Sequence, residues 1–176
     1  ARAPLVPFRS TSEGFTGECG LRGGYFDVVG RDDDVRATII KYISVSLCSN
    51  VPGQLAVGLM VNPPAEGDAS RARHVAERDA ILASLARRAD VVQKALDALD
   101  GVSCNRAQGA MYLFPQLHLP PGAVAAAETA GKAPDVYYCI KLLEATGLVV
   151  VPGSGFGQRN GTFHFRTTFL PPEDEI

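Results

Sequence analysis

The sequence lacks an excess of charge of either sign. Its 17 Lys and Arg stand against 19 Asp and Glu, a formal net charge of −2. That balance provides no electrostatic footprint for nucleic acid or for an anionic membrane surface. No apolar run is long enough to span a bilayer. The N-terminal A-R-A-P-L-V-P-F has no charged-then-apolar layout of a secretory signal. Position 1 is not methionine, so a piece of a longer chain is expected. Cys19, Cys48, Cys104 and Cys139 form no C-x-x-C pair, which argues against a zinc site or a dithiol redox motif. Buried free thiols in a reducing, intracellular compartment are expected instead. His74, His118 and His164 are scattered, and no metal role is expected for them.

The composition that is present is globular: 176 residues, 46% hydrophobic and 20% charged. That length can bury a sizeable core in one domain or two small ones. The apolar run 5–8 and the β-rich run 25–29 read as strands, the second ended by Gly30. Asp32, Asp33 and Asp34 read as acids at the start of a helix over 33–46, with helix capping favoured over a metal site. Pro52 sits in the first turn of a helix over 53–61, which N-P-P at 62–64 stops. The longest element is a helix over 70–99, with Leu82, Leu85, Ala89, Val92, Leu96 and Leu99 on one face. Asp68 or Ser70 is expected to cap it and Gly101 to close it. Its arginines alternate with acids, which favours a solvated face over a nucleic-acid stripe.

Past Gly101 the texture changes to short strands and turns: strands at 102–104 and 111–114, then a loop at Pro120, Pro121 and Gly122. A helix follows from Pro134 to a C-cap at Gly147, and then a buried strand over 148–151. P-G-S-G-F-G at 152–157 is a poor match to a dinucleotide loop, because a strand rather than a helix follows. The run 162–169 alternates cleanly, with Phe163, Phe165, Thr167 and Phe169 on one face. Arg166 on the other face needs an anionic partner or water; a snorkelling side chain and an ordinary ion pair are both open.

The chemistry gathers at 10–25, S-T-S-E-G-F-T-G-E-C-G-L-R-G-G-Y. This span opens with three hydroxyl residues, and five glycines and Arg22 follow in it. Glycines allow close backbone approach to a ligand, and hydroxyls with a guanidinium suit a phosphate. A turn-rich surface loop would look similar.

This stretch resembles the lysine-bearing segment of the alanine aminotransferases. C-S-N-x-x-G-Q at 48–54, N-P-P at 62–64 and Q-G-A-M-Y-x-F-P at 108–115 follow in family order. So do L-L-E-x-T-G at 142–147, V-V-P-G-S-G-F-G-Q at 150–158 and H-F-R-T at 164–167. The blocks cover nearly the whole chain, and the plant or algal enzymes look nearest.

The resemblance implies an α/β chain, the C-terminal part of a fold type I aminotransferase. It implies the end of the large cofactor-binding domain at 1–67, a connecting helix at 68–100 and a truncated small domain at 101–176. It implies pyridoxal 5′-phosphate as cofactor, with Ser10, Ser12 and Arg22 at the positions that hold its phosphate. Arg166 falls where the family binds the substrate α-carboxylate. The implied reaction is reversible amino transfer from alanine to 2-oxoglutarate, and the complete family protein is expected to be a homodimer. The sequence departs from the family at one decisive position: Glu13 stands where the Schiff-base lysine belongs. A carboxylate does not condense with an aldehyde, and none of Lys41, Lys94, Lys132 or Lys141 lies inside the motif. Two readings follow, an inactive piece or copy of an aminotransferase, and a non-enzymatic binding module derived from one.

Overall fold

Pro7 decides where the first strand begins. With no N–H to give to a ladder, it separates an isolated Leu5↔Val29 bridge from the strand proper. That strand, β1, is Phe8–Ser10, and it pairs antiparallel with β2, Gly24–Phe26. The strands expected at 5–8 and 25–29 are thus displaced and shorter, although both segments do pair. The protein is described here from a computed structural model, which covers residues 3–13 and 15–176. Gly14, within the 10–25 motif, lies outside the described residues.

Helix α1, Asp33–Ile43, runs into a 3-10 turn at Ser44–Ser46. Asp32 occupies the N-cap position but makes no side-chain cap hydrogen bond. Asp33 and Asp34 lie in the first turn, where the dipole favours negative charge. Helix α2, Val51–Val61, is capped by Asn50, whose side chain accepts from Gly53 N at 2.7 Å. Helix α3 is Arg71–Asp97. Asp68 does not cap it: its Oδ2 accepts from Ala65 N at 2.7 Å and closes the preceding loop. Two compact units divide within this helix, Ala1–Ile81 and Leu82–Ile176.

The second unit is built on an antiparallel sheet. Its strands are β3, Val102–Ser103; β4, Tyr112–Leu113; β5, Gln116–Leu117; β6, Val151–Pro152; and β7, Phe163–Thr168. The order is β3-β5-β7-β4, with β6 also paired to β7. Helix α4, Pro121–Thr129, replaces the loop expected at 120–122. Pro121 is at the first helical position, where its missing N–H is harmless, and an alanine-rich run follows. Helix α5, Pro134–Thr146, ends on Gly147 at φ 78°, the left-handed cap expected there.

The alternation of 162–169 appears as burial of Phe165 and Phe169. Cys104, Met111, Leu113 and Phe169 form one core cluster against Leu85, Ala89, Val92 and Leu96 of α3. Leu117, Cys139 and Phe165 form a second. The α3 face is therefore the expected one at its centre, but Leu82 and Leu99 are exposed. The stretch 148–151 is not a buried strand: Leu148 is 59% and Val149 78% exposed, and only Val151 and Pro152 pair. Cys104 and Cys139 are buried, whereas Cys19 and Cys48 are exposed, against expectation. Their spacing along the chain carried no information about burial.

Candidate functional site

The 10–25 loop is held from inside by a residue that sequence reasoning passed over. Thr11 is fully buried. Its N–H donates to Gly23 O at 3.0 Å, and its carbonyl accepts from Glu18 N at 3.1 Å. Its hydroxyl donates to Gly23 O at 3.1 Å, and Thr16 Oγ1 donates to its carbonyl at 2.8 Å. Each such bond contributes about 1 kcal/mol, and a broken one would leave a buried group unpaired. With Thr11 turned inward, its neighbours Ser10 and Ser12 remain half-buried and Glu13 is exposed. Ser10 Oγ accepts from Ser12 N at 2.9 Å, which brings the two serines together.

Arg22 joins the same loop by another route. Its Nη1 donates to Cys19 O at 3.0 Å, and Cys19 Sγ lies 3.7 Å from Ser12 O as a weak donor. Among the described residues no hydrogen bond links Arg22 directly to either serine hydroxyl. Arg22 has φ 53°, a left-handed conformation that a side chain disfavours by about 1–2 kcal/mol. The next residue explains what enforces it. A Cβ on Gly23 would lie 2.6 Å from Gly53 O, and one on Gly53 would lie 2.7 Å from Leu21 O. The loop backbone therefore rests directly on the first turn of α2, with Asn50 Nδ2 reaching toward Arg22 O at 3.5 Å. A cavity of about 400 Å³ opens beside this contact, lined by Arg22, Tyr25, Asn50 and Gln54 among others.

The phosphate end of pyridoxal phosphate fits this chemistry: hydroxyls on two half-buried serines, a guanidinium bonded through Nη1 to a carbonyl, and glycine backbone at close approach. At the position that the resemblance gives to the Schiff-base lysine, the covalent end does not fit. Position 13 presents an exposed carboxylate, with no amine to attach the aldehyde.

Arg166 is not a member of an ordinary ion pair among the described residues; its stem is partly covered and its guanidinium meets two rings. It is half-buried on β7, with Cζ 4.7 Å from the Tyr112 ring centroid and 4.5 Å from that of Phe156. None of the ion pairs among the described residues includes it. Phe156 meets Phe114 edge-on at 6.0 Å, and Phe114 stacks on His164 at 4.7 Å. Burial holds the His164 imidazole below its ordinary pKa, partly opposed by Asp135. The Gly153–Phe156 segment of the P-G-S-G-F-G run is a 3-10 turn that carries Phe156 to this cluster. No group of three or more metal-ligating side chains exists among the described residues, and no helix there is long and apolar enough to cross a membrane.

Comparison with known proteins gives this geometry its context. The chain is 59% identical over 172 residues to alanine aminotransferase 1, mitochondrial, of Arabidopsis thaliana, covering 98% of this chain and 32% of that protein. It is 57% identical over 173 residues to alanine aminotransferase 2 of Panicum miliaceum, covering 98% and 36%. A solved alanine aminotransferase from Pyrococcus furiosus superposes with a TM-score of 0.77 at 26% identity, over 99% of this chain and 40% of that one. The chain thus spans about a third of the length of the curated relatives it matches. The mixed α/β architecture is that of the fold type I aminotransferases, a pyridoxal-phosphate-dependent group. The model for aminotransferase class I and II matches residues 3–175, and the chain belongs to that family.

Proposed function

We propose that this chain carries part of the site of an alanine aminotransferase, acting in a complete protein on alanine and 2-oxoglutarate to give pyruvate and glutamate. The observation that carries this reading is the 10–25 loop, where two serine hydroxyls and a guanidinium belong to one hydrogen-bonded loop braced on α2. Ser10, Ser12 and Arg22 hold the phosphate by charge-assisted hydrogen bonds. Arg166 takes the substrate α-carboxylate through its planar fork, which its ring neighbours orient without neutralising. Pyridoxal phosphate, when bound, supplies the electron sink of the reaction. The residue at position 13 would have to attach the cofactor and then move a proton at the substrate carbon, and both tasks need an amine. Glu13 provides neither, so the chain by itself is inactive. The expected compartment is intracellular, and the homodimer belongs to the complete protein.

A second reading is favoured by one feature of the first unit. Helix α2 carries no charged residue, yet Leu55 and Leu59 are 70% and 52% exposed. A non-enzymatic module that works by pairing with an intact subunit would use such a surface. The test separates the two readings. The chain and its Glu13→Lys variant are incubated with pyridoxal phosphate, reduced with borohydride and mapped by mass spectrometry, with alanine turnover assayed in parallel. The expected result is no label at position 13 in the unaltered chain, label there in Glu13→Lys, and turnover in neither. Turnover by the unaltered chain with another lysine labelled would overturn the site chemistry. Failure of Glu13→Lys to take label would favour the binding module.

A further inference from the structure

One buried carboxylate has no part in the chemistry above. Asp135 is 1% exposed, in the first turn of α5. Its Oδ2 accepts from Ser154 N at 2.7 Å and from Gln158 Nε2 at 3.2 Å. Its Oδ1 is buried without a hydrogen-bond partner among the described residues. A buried carboxylate with an oxygen unsatisfied is costly for stability, and an apolar side chain in its place would avoid that cost. Its two bonds are informative because Ser154 and Gln158 bracket Phe156. Gln158 Oε1 continues the chain to His164 Nδ1 at 3.2 Å, on β7 two residues before Arg166. Gly153 seals the other side: a Cβ there would collide with Gln158 Oε1 and lie 2.7 Å from His164 Cβ. The turn is thereby fixed at both ends to α5 and to β7. The ring it carries, Phe156, lies against the Arg166 guanidinium.

We propose that Asp135 is a positioning residue for Arg166. By pinning the 153–158 turn it holds the Phe156 ring against the guanidinium, which orients the cation while leaving its charge available to a carboxylate ligand. A carboxylate neighbour would orient Arg166 equally well but would compete with the ligand for the same N–H groups; an aromatic face does not. The purpose of this arrangement rests on the carboxylate-binding role proposed for Arg166, but the coupling itself can be read separately.

The experiment uses the full 176-residue chain, with two readouts. The first is the Arg166 Nε–Hε resonance, assigned by its loss in Arg166→Leu. The second is the affinity for pyruvate, a short 2-oxo acid, measured by chemical-shift titration. Asp135→Asn is nearly isosteric, but it removes the charge that strengthens both bonds to Oδ2, and its amide NH2 must face either the Ser154 and Gln158 donors or the buried, unpartnered place of Oδ1. It should move the Arg166 resonance out of the ring-current field of Phe156 and weaken pyruvate binding roughly three- to fivefold, the scale of a partly exposed cation–π contact. Phe156→Leu should do the same, and the double variant should lose no more than either alone, since both act through one contact. Gln158→Leu, which cuts the link from Asp135 to His164, gives a second route to the same readout if Asp135→Asn does not fold. An Arg166 resonance unmoved in folded Asp135→Asn or Gln158→Leu would overturn the proposal, as would additive losses in the double variant. Absence of pyruvate binding to the unaltered chain would reject the carboxylate role of Arg166 alone, and the resonance would still decide the coupling.

Discussion

The two units of this chain are held by different forces. In the first, α1 buries no residue and α2 buries only Gly53. Order there comes from backbone: the Thr11 hydrogen bonds, the short β1–β2 ladder, and two glycines that let chain touch chain. In the second, two apolar clusters cover one face of the sheet, and the helices take part through Leu85, Ala89, Val92, Leu96 and Cys139. Hydrogen bonds specify geometry but contribute about 1 kcal/mol each, whereas a buried Phe or Leu contributes about 1.5–3 kcal/mol. The 10–25 loop is therefore positioned mainly by hydrogen bonds and backbone contact, with little apolar burial in the helices beside it. The arginine expected to read a carboxylate stands on the well-packed unit.

The largest test of that contrast is core truncation. Phe165→Ala should lower the stability of the second unit by about 3–5 kcal/mol, while Leu55→Ala in α2 should change little, within about 0.5 kcal/mol. Chemical denaturation followed by site-specific probes in each unit measures both, and similar losses at the two sites would erase the distinction. Glycine substitutions sharpen it within the first unit. Gly23→Ala meets backbone at 2.6 Å and should destabilise the loop by about 1–3 kcal/mol, whereas Gly58→Ala meets nothing within 4 Å and should stabilise α2 by about 0.4–1 kcal/mol. Hydrogen exchange should show the same division, with amides of α1 and α2 exchanging well before those of β7 and α5.

Thiol chemistry gives a smaller but cleaner signal. Burial, and secondarily Asp135, pushes the Cys139 thiol up to about 11, and burial followed by Asp97 raises Cys104. Two equivalents of an aromatic disulfide reagent should react quickly in the native chain, at Cys19 and Cys48, and two only on unfolding. Early labelling of Cys104 or Cys139 would mean that the second unit opens as readily as the first. The smallest expected effect is a pH dependence. His164 has a folded pKa depressed below its ordinary value of 6.5, so the unfolded state binds more protons as the pH falls. Stability of the second unit should therefore be full above that ordinary value, decline as pH falls through it, and level off below the folded pKa. His164→Gln should flatten that segment of the curve.

How much of this could be read from residues alone varied with the range of the interaction. Helix α3, the N-P-P stop after α2, the Gly147 cap and the alternation of β7 are local patterns, and they appear where the sequence places them. Helix α4 was missed because Pro120 and Pro121 look like turn residues until the alanines beyond them are weighed as helix formers. Strand β5 is two residues long and exists because β3 and β7 flank it. The run Leu148–Val149 is apolar enough for a core, but exposure is decided by which elements cover it.

By itself, then, the sequence determined the kind of protein, and it motivates the proposal that position 13 lacks the amine the chemistry needs. The ordered motifs mark an aminotransferase, and a carboxylate at position 13 precludes amine chemistry whatever surrounds it. Only the tertiary structure decided that Thr11 is the buried member of the S-T-S run, that Gly23 and Gly53 face each other across thirty residues of sequence, and that Arg166 lies between two rings. It alone coupled Asp135 to the turn beside that arginine. The physical reason is one of range. Covalent identity and helical period are properties of a residue and its near neighbours, whereas burial, close approach and ring contacts depend on segments that meet only when the chain has folded.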